Sequence, residues 1–292
     1  MTTVSQTPSD TKDDLPVGKQ ADKGHKPARE LFELAKTVFY ALLIALFLRV
    51  VLFQPFTIPS ASMEPNLLQG DYIIVSKYAY GWSRHSIPMS PQIGHGRLLG
   101  HSPKRGDIIV FKLPRDVKLD YIKRLIGLPG DQIQVLHGWL NVNGQPVKQV
   151  ALPPHPVQSA FGLIRDVQQF RQTLPGGKTF TINSTGPDGP ADNTGVYTVP
   201  KNCFFMMGDN RDDSLDSRFD PGDIPVNEAA CAWDPSVDKN IPPDLGVGFV
   251  PAEDLVGRAD IILFSWKPGV SLFKPWTWVT EARWGRFIHL LG

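Results

Sequence analysis

The sequence predicts a mostly β protein: an antiparallel β-sheet domain behind an N-terminal transmembrane helix. Three observations predict it. One apolar run, Leu34 to Phe53, is long enough to cross a bilayer. Beyond it, short runs of β-branched and aromatic residues recur. The 26 Gly and 27 Pro lie between those runs, spread too evenly for a low-complexity tract, and punctuate strands as turn residues do.

Residues 1–33 read as a disordered cytoplasmic tail. Residues 1–28 hold no aromatic residue and mix both charge signs with Pro and Gly, so they have little with which to build a core. Residues 34–53, LAKTVFYALLIALFLRVVLF, read as the anchor. Twenty helical residues span about 30 Å. Its two charges, Lys36 and Arg49, lie near its ends, where long basic side chains reach the headgroups. Lys12, Lys19, Lys23, Lys26 and Arg29 precede the run, and no Lys or Arg follows Arg49 until Lys77. That asymmetry places the N-terminus in the cytoplasm and the bulk of the chain outside. A buried core helix would need a second strongly apolar helix to pack on, and none is apparent. A cleaved leader would have a far shorter polar region ahead of its apolar run.

Residues 54–292 read as one extracytoplasmic β domain. Strands are predicted at Asp71–Lys77, Gly106–Lys112 and Phe204–Met207, and a late strand over Gly257–Trp266 closes the sheet. Gln132–Leu136, Trp139–Val142 and Pro146–Val150 read as a three-stranded meander turning at His137-Gly138 and Asn143-Gly144; Asn-Gly suits a type I′ turn, where both central residues need positive φ. Residues 81–104 and 220–246 read as surface insertions. The tail carries Phe273, Trp276, Trp278, Trp284 and Phe287, which fit either a membrane interface or packing on the domain. Cys203 and Cys231 fit either a disulfide or two buried thiols. With 30 Lys+Arg against 29 Asp+Glu, the composition gives no support for nucleic-acid binding.

Ser60 and Ser62 stand between prolines in Pro55-Phe-Thr-Ile-Pro-Ser-Ala-Ser-Met-Glu-Pro65, directly after the anchor. A serine nucleophile needs a base. None of the seven histidines falls in a segment that reads as an ordered strand end, and no Gly-x-Ser-x-Gly elbow exists. His85, His95 and His101 lack metal-ligand spacing, so no metal is expected. Ser-x-x-Lys at Ser9/Lys12 and Ser236/Lys239 falls in the tail and an insertion, without the partner motifs of that chemistry. Lys123 stands among Ile122, Leu125, Ile126 and Leu128; strand alternation puts it on the face opposite Ile122 and Arg124. Burial there favours the neutral amine a lysine base requires, whereas a solvated strand lysine would do nothing. A third segment, Gly208-Asp-Asn-Arg-Asp-Asp-Ser-Leu-Asp-Ser-Arg218, is a dense polar turn whose Asp spacing does not match an EF-hand.

Ile58-Pro-Ser-Ala-Ser-Met63, Gly70-Asp71, Lys104-Arg-Gly-Asp107, Tyr121-Ile-Lys-Arg124 with Gly127-Leu-Pro-Gly-Asp131, and Gly208–Arg218 together resemble the five ordered boxes of bacterial type I signal peptidase, the leader peptidase. The resemblance covers nearly all of residues 34–266. It implies an antiparallel β domain of that type and a serine endopeptidase that removes N-terminal signal peptides through an acyl-enzyme. It puts the nucleophile on Ser62, the general base on Lys123, the oxyanion-hole hydroxyl on Ser60 and the lysine-orienting hydroxyl on Ser214. Asp216 and Arg218 match its supporting ion pair, with Gly208 and Asp209 in the same structural turn. Phe56, Ile58, Pro59, Tyr121 and Ile122 are expected to line the pockets that admit small side chains. No cofactor is implied. The implied setting is a single-pass monomer in plasma-membrane lipid, acting on signal peptides of secreted preproteins. A membrane-anchored β module that binds and does not cut is the rival class; the joint presence of Ser62, Lys123 and Ser214 argues against it. A pilus- or conjugation-specific peptidase with the same dyad is the enzymatic rival.

Overall fold

The computed structural model describes residues 27–87, 90–91, 94, 96–158, 164–187, 189–223, 231–232, 245–268, 270 and 274–291. The first element, α1 (Pro27–Val51), starts ahead of the apolar run. Pro27 suits a first helical position, where no N–H is needed. Glu30 in the first turn and Arg49 in the last complement the helix dipole. Glu30–Val51 has a mean hydropathy of 2.0 and no buried share, and it is long and apolar enough to cross a membrane. The chain divides into two compact units at Ala45/Leu46.

The second unit holds the strands. In chain order they are β1 (Phe53–Thr57), β2 (Asp71–Ser76), β3 (Ile108–Leu113), β4 (Asp116–Gly127), β5 (Gln132–Leu136), β6 (Trp139–Val142), β7 (Gln145–Pro146), β8 (Lys148–Ala151), β9 (His155–Gln158), β10 (Ile164–Thr173), β11 (Thr179–Ser184), β12 (Tyr197–Thr198), β13 (Cys203–Met207), β14 (Val250–Pro251), β15 (Leu255–Ser265) and β16 (His289–Leu290). The main sheet runs β1-β2-β15-β3-β4-β13-β14, with β16 also paired to β15. Every strand pair in the three sheets is antiparallel. The other sheets are β12-β5-β6-β7 and β11-β10-β8 with β9 on β10.

The mostly β class stands, and three details differ from the sequence reading. The late strand does not close the sheet: β15 lies inside it, hydrogen-bonded to both β2 and β3. Its residues are mostly buried, as a central strand requires. The third limb of the meander is divided. β7 pairs with β6, whereas β8 leaves to pair with β10 in a different sheet. Insertion 81–104 is not simply a surface loop, for Ser83, Arg84, His85 and Ser86 are buried. Arg97 holds it down, donating to the carbonyls of Tyr80, Gly81, Ala252, Glu253 and Leu255. One guanidinium thereby meets five backbone carbonyls, four of them outside the strands. Most of insertion 220–246 lies outside the described residues, but Cys231 is described, buried, and disulfide-bonded to Cys203 of β13.

Three apolar clusters form the core. One lies between the meander, β10–β11 and β13. A second lies under the loop after β1, and a third joins β3, β4, β13 and β15. Part of the tail packs on the domain. Phe287 packs on Phe264, Trp266 and Trp284, while Trp276, Trp278 and Trp284 stay exposed. Phe273 lies outside the described residues.

Candidate active site

Three segments converge on one cleft. The first is the loop after β1. Ile58, Met63 and Leu67 are buried in one cluster with Ile73, Val75 and Ile108. Burying such side chains stabilises by about 1.5–3 kcal/mol each. Ser60, Ala61 and Ser62 are thus held between apolar pins. Asn210 ties the loop from the opposite side. Its N–H donates to Ser62 O at 3.1 Å, and its Nδ2 donates to Ala61 O at 3.2 Å.

The second segment is β4. Lys123 pairs with Ile109 of β3, so it sits inside the sheet, and it is 4% exposed. Its Nζ donates to Ser62 Oγ at 2.6 Å. Burial lowers its pKa to about 8, against the opposing pull of the Asp216 and Asp209 carboxylates. Ser60 Oγ lies 3.4 Å from Ser62 Oγ. Arg124, next in the strand, engages Asp209 with both ends of its fork, Nε to Oδ1 at 2.7 Å and Nη2 to Oδ2 at 2.6 Å.

The third segment is the turn after β13. Gly208 is where this turn meets the serine loop. A Cβ there would stand 2.2 Å from Ser214 Oγ and 2.5 Å from Ser62 O, so only glycine fits. Gly208 N–H donates to Asp216 Oδ2 at 2.8 Å. Arg218 grips Asp216 with Nε on Oδ1 at 2.8 Å and Nη2 on Oδ2 at 2.9 Å. Burial pushes the Asp216 carboxyl up, but the Arg218 charge and hydrogen bonds outweigh it and hold the pKa low.

Ser214 departs from expectation. Its hydroxyl donates to Asp216 Oδ2 at 2.8 Å, and among the described residues it makes no hydrogen bond to Lys123. The carboxylate, an acceptor only, accepts the hydroxyl's hydrogen bond, so the Ser214 lone pairs face away from it. Ser214 still lines the cleft with Ser60, Ser62, Lys123, Pro59, Tyr121 and Ile122. Phe56 and Ile58 pack with the cluster beneath the loop, Phe56 partly buried and Ile58 2% exposed.

The cleft therefore holds a hydroxyl against a desolvated amine, with a second hydroxyl beside it, and comparison with known proteins agrees with a hydrolytic site. The family model described as signal peptidase, peptidase S26 matches residues 31–266. Signal peptidase I of Rickettsia typhi is 34% identical over 236 residues, 78% of this chain and 78% of its own. That of Rickettsia canadensis is 34% identical over 240 residues, covering 80% and 79%. That of Rickettsia felis is 36% identical over 236 residues, covering 78% and 77%.

This chain belongs to the signal peptidase I family.

Its activity is the family's, hydrolytic removal of signal peptides from preproteins. The apolar α1 is compatible with the membrane anchoring of a signal peptidase. Around its cleft stand residues whose parts the sequence did not disclose. Asn66 Nδ2 donates to Asp209 Oδ2 at 2.8 Å and to Thr181 O at 2.6 Å, joining the serine loop to β11. Arg211 is buried, donating to Gln172 Oε1 at 2.5 Å and to Gly208 O at 3.1 Å. For Arg124 a signal existed: alternation places it opposite Lys123, and a buried guanidinium needs an acid. Asn66 and Asn210 carry no pattern that a single sequence would show. Among the described residues, no group of three or more His, Cys, Asp or Glu side chains is placed to hold a metal ion.

Proposed function

We propose that signal-peptide removal by this chain runs on a Ser62/Lys123 dyad. The observation that carries the reading is the 2.6 Å contact between Lys123 Nζ and Ser62 Oγ, made by a lysine whose pKa burial lowers to about 8. Near neutral pH a useful fraction of Lys123 is then the free amine. In that form the contact reverses: Ser62 Oγ–H donates to Nζ, and Nζ takes the proton as Oγ attacks the scissile carbonyl. The C–N bond breaks with that proton passing to the leaving amine, and the signal peptide remains as an ester on Ser62. Lys123, again neutral, deprotonates a water that hydrolyses the ester.

Ser60 is the oxyanion donor in this scheme, together with the Ser62 N–H, which makes no hydrogen bond among the described residues. Donors fixed in advance stabilise the developing charge without reorganising. In this scheme Ser214, whose own O–H donates to Asp216, offers its lone pairs to the Lys123 amine during the reaction, a hydrogen bond that the free site does not make among the described residues. Asp216–Arg218 and Arg124–Asp209 hold the turn and strand in register. Pro59, Tyr121 and Ile122, with Phe56 and Ile58 packed behind them, form the pocket for small side chains in this scheme. The anchor crosses plasma-membrane lipid once with its N-terminus cytoplasmic, a reading supported by the basic residues ahead of α1. Incubating the detergent-solubilised chain with a preprotein tests the dyad: wild type cleaves and Ser62→Ala does not.

A further inference from the structure

The cleft runs on past the dyad. Its volume is about 580 Å³, far more than alanine-sized side chains need. One wall, Pro59, Tyr121 and Ile122, comes from the serine loop and β4. Another, Pro190, Ala191, Leu215 and Phe219, comes from the loop after β11 and the turn after β13, and none of these four has a part in the chemistry.

This second wall is fixed in place. Asn183 N donates to Asp209 O and Arg211 N donates to Asn183 O, both at 2.9 Å, so β11 is fastened to the turn that carries Ser214. Thr185 donates to Asp212 Oδ2 through its backbone N–H and its hydroxyl. The following loop closes on buried Asp192, whose Oδ2 accepts from Gly189 N at 2.7 Å. A Cβ at Gly189 would stand 2.8 Å from that carboxylate and 2.9 Å from Asp212 Oδ1, so the loop packs directly against the turn.

Its chemistry is lopsided. Leu215 is 49% exposed between buried Ser214 and Asp216, an apolar side chain turned out at the cleft. Asp213 also lines the cleft, is exposed, and makes no side-chain hydrogen bond or ion pair among the described residues. Lys123, the buried amine of the dyad, is the lining cation that feels the Asp213 charge, and the remaining charged lining groups are engaged elsewhere. Asp120 is paired with Lys112 at 2.9 Å, Asp212 accepts from Thr185, and the Arg211 guanidinium is turned inward to Gln172 and Gly208.

We propose that this wall of the cleft is a subsite for the leaving segment, the first residues of the mature chain, with Pro190, Ala191 and Leu215 as an apolar floor and Asp213 as a carboxylate rim that favours basic over acidic residues just after the scissile bond. The inference rests on the Ser62/Lys123 reading. If the small-residue pockets at Pro59, Tyr121 and Ile122 take the acyl half of an extended peptide, its other half must leave past Ser214. The charge of Asp213 then meets the leaving residues and the α-amine that cleavage frees.

The test uses the full chain in detergent and three soluble peptides with an alanine-x-alanine acyl side. They carry two Glu, two Ala or two Lys immediately after the scissile bond. Wild type should show kcat/KM in the order Lys, Ala, Glu, with a Lys-to-Glu ratio of about five, the size of a partly solvated charge contact. Asp213→Asn should bring the ratio toward one, and Asp213→Lys should invert it. Raising the salt should shrink the wild-type ratio by screening. The ratio is taken within one enzyme, so a change in Lys123 ionisation cancels from it. The same ratio in wild type, Asp213→Asn and Asp213→Lys overturns the subsite and leaves the peptidase reading intact. Failure of wild type to cleave any of the three overturns both.

Discussion

Lys123 Nζ and Ser62 Oγ, sixty-one residues apart in the chain, meet at 2.6 Å. The loop that carries the serine is pinned by Ile58, Met63 and Leu67, and the strand that carries the lysine lies inside the main sheet between β3 and β13. Neither group can retreat without disturbing a core. If the two act as one unit, Ser62→Ala and Lys123→Ala should each remove nearly all cleavage, and the double variant should be little worse than either. Losses that multiply in the double variant would show independent roles.

Lys123→Arg separates charge from proton transfer. Arginine stays protonated throughout the working range, so the variant should be as inactive as Lys123→Ala. Appreciable preprotein cleavage by the arginine variant would mean that Lys123 is not the base.

Ser60 lies 3.4 Å from Ser62 Oγ and is exposed to the cleft. Ser60→Ala should lower kcat by about 10²–10³, equivalent to 2.7–4 kcal/mol, with KM nearly unchanged, as for loss of one oxyanion donor. Steady-state kinetics on a soluble peptide reads this. A raised KM at constant kcat would make Ser60 a binding residue.

Asp216 and Arg218 are 0% and 1% exposed and joined through both carboxylate oxygens. Arg218→Met should destabilise the fold by about 3–5 kcal/mol, since it strands a buried carboxylate. It should also free Asp216 from the cation that keeps its pKa low. A thermal melt of the purified domain in detergent checks this; an unchanged Tm would show that the pair contributes nothing to stability.

The segments that line the candidate site are more legible in the sequence than the scaffold that holds them. The polar turn Gly208–Arg218 and the Ser60/Ser62 loop are dense local signals, and box order supplied what spacing could not. Lys123 was conspicuous as a cation among Ile122, Leu125 and Ile126. The sheet formed by β8 to β11 was not legible. β10 reads IRDVQQFRQT, whose apolar residues recur every third position and match neither strand nor helix period. The position of β15 between β2 and β3 is a long-range choice that no local pattern encodes. The disulfide stayed undecided for the same reason, since Cys203 and Cys231 meet only once β13 is placed. The hydroxyl direction at Ser214 depends on Asp216 being held ionised by Arg218, which is a property of the folded turn.

The pH dependence of kcat/KM tests the central claim, a neutral lysine acting as base on Ser62, most directly. Burial moves the Lys123 pKa down to about 8 from the ordinary lysine value of 10.5. The active form is the unprotonated one, so activity is low when pH is below that pKa and grows as the proton is lost. The account predicts a profile on a soluble peptide that rises through about pH 8 and holds into the alkaline range. An acid optimum, or a flat profile from pH 6 to 10 (roughly two units either side of that pKa), would contradict it.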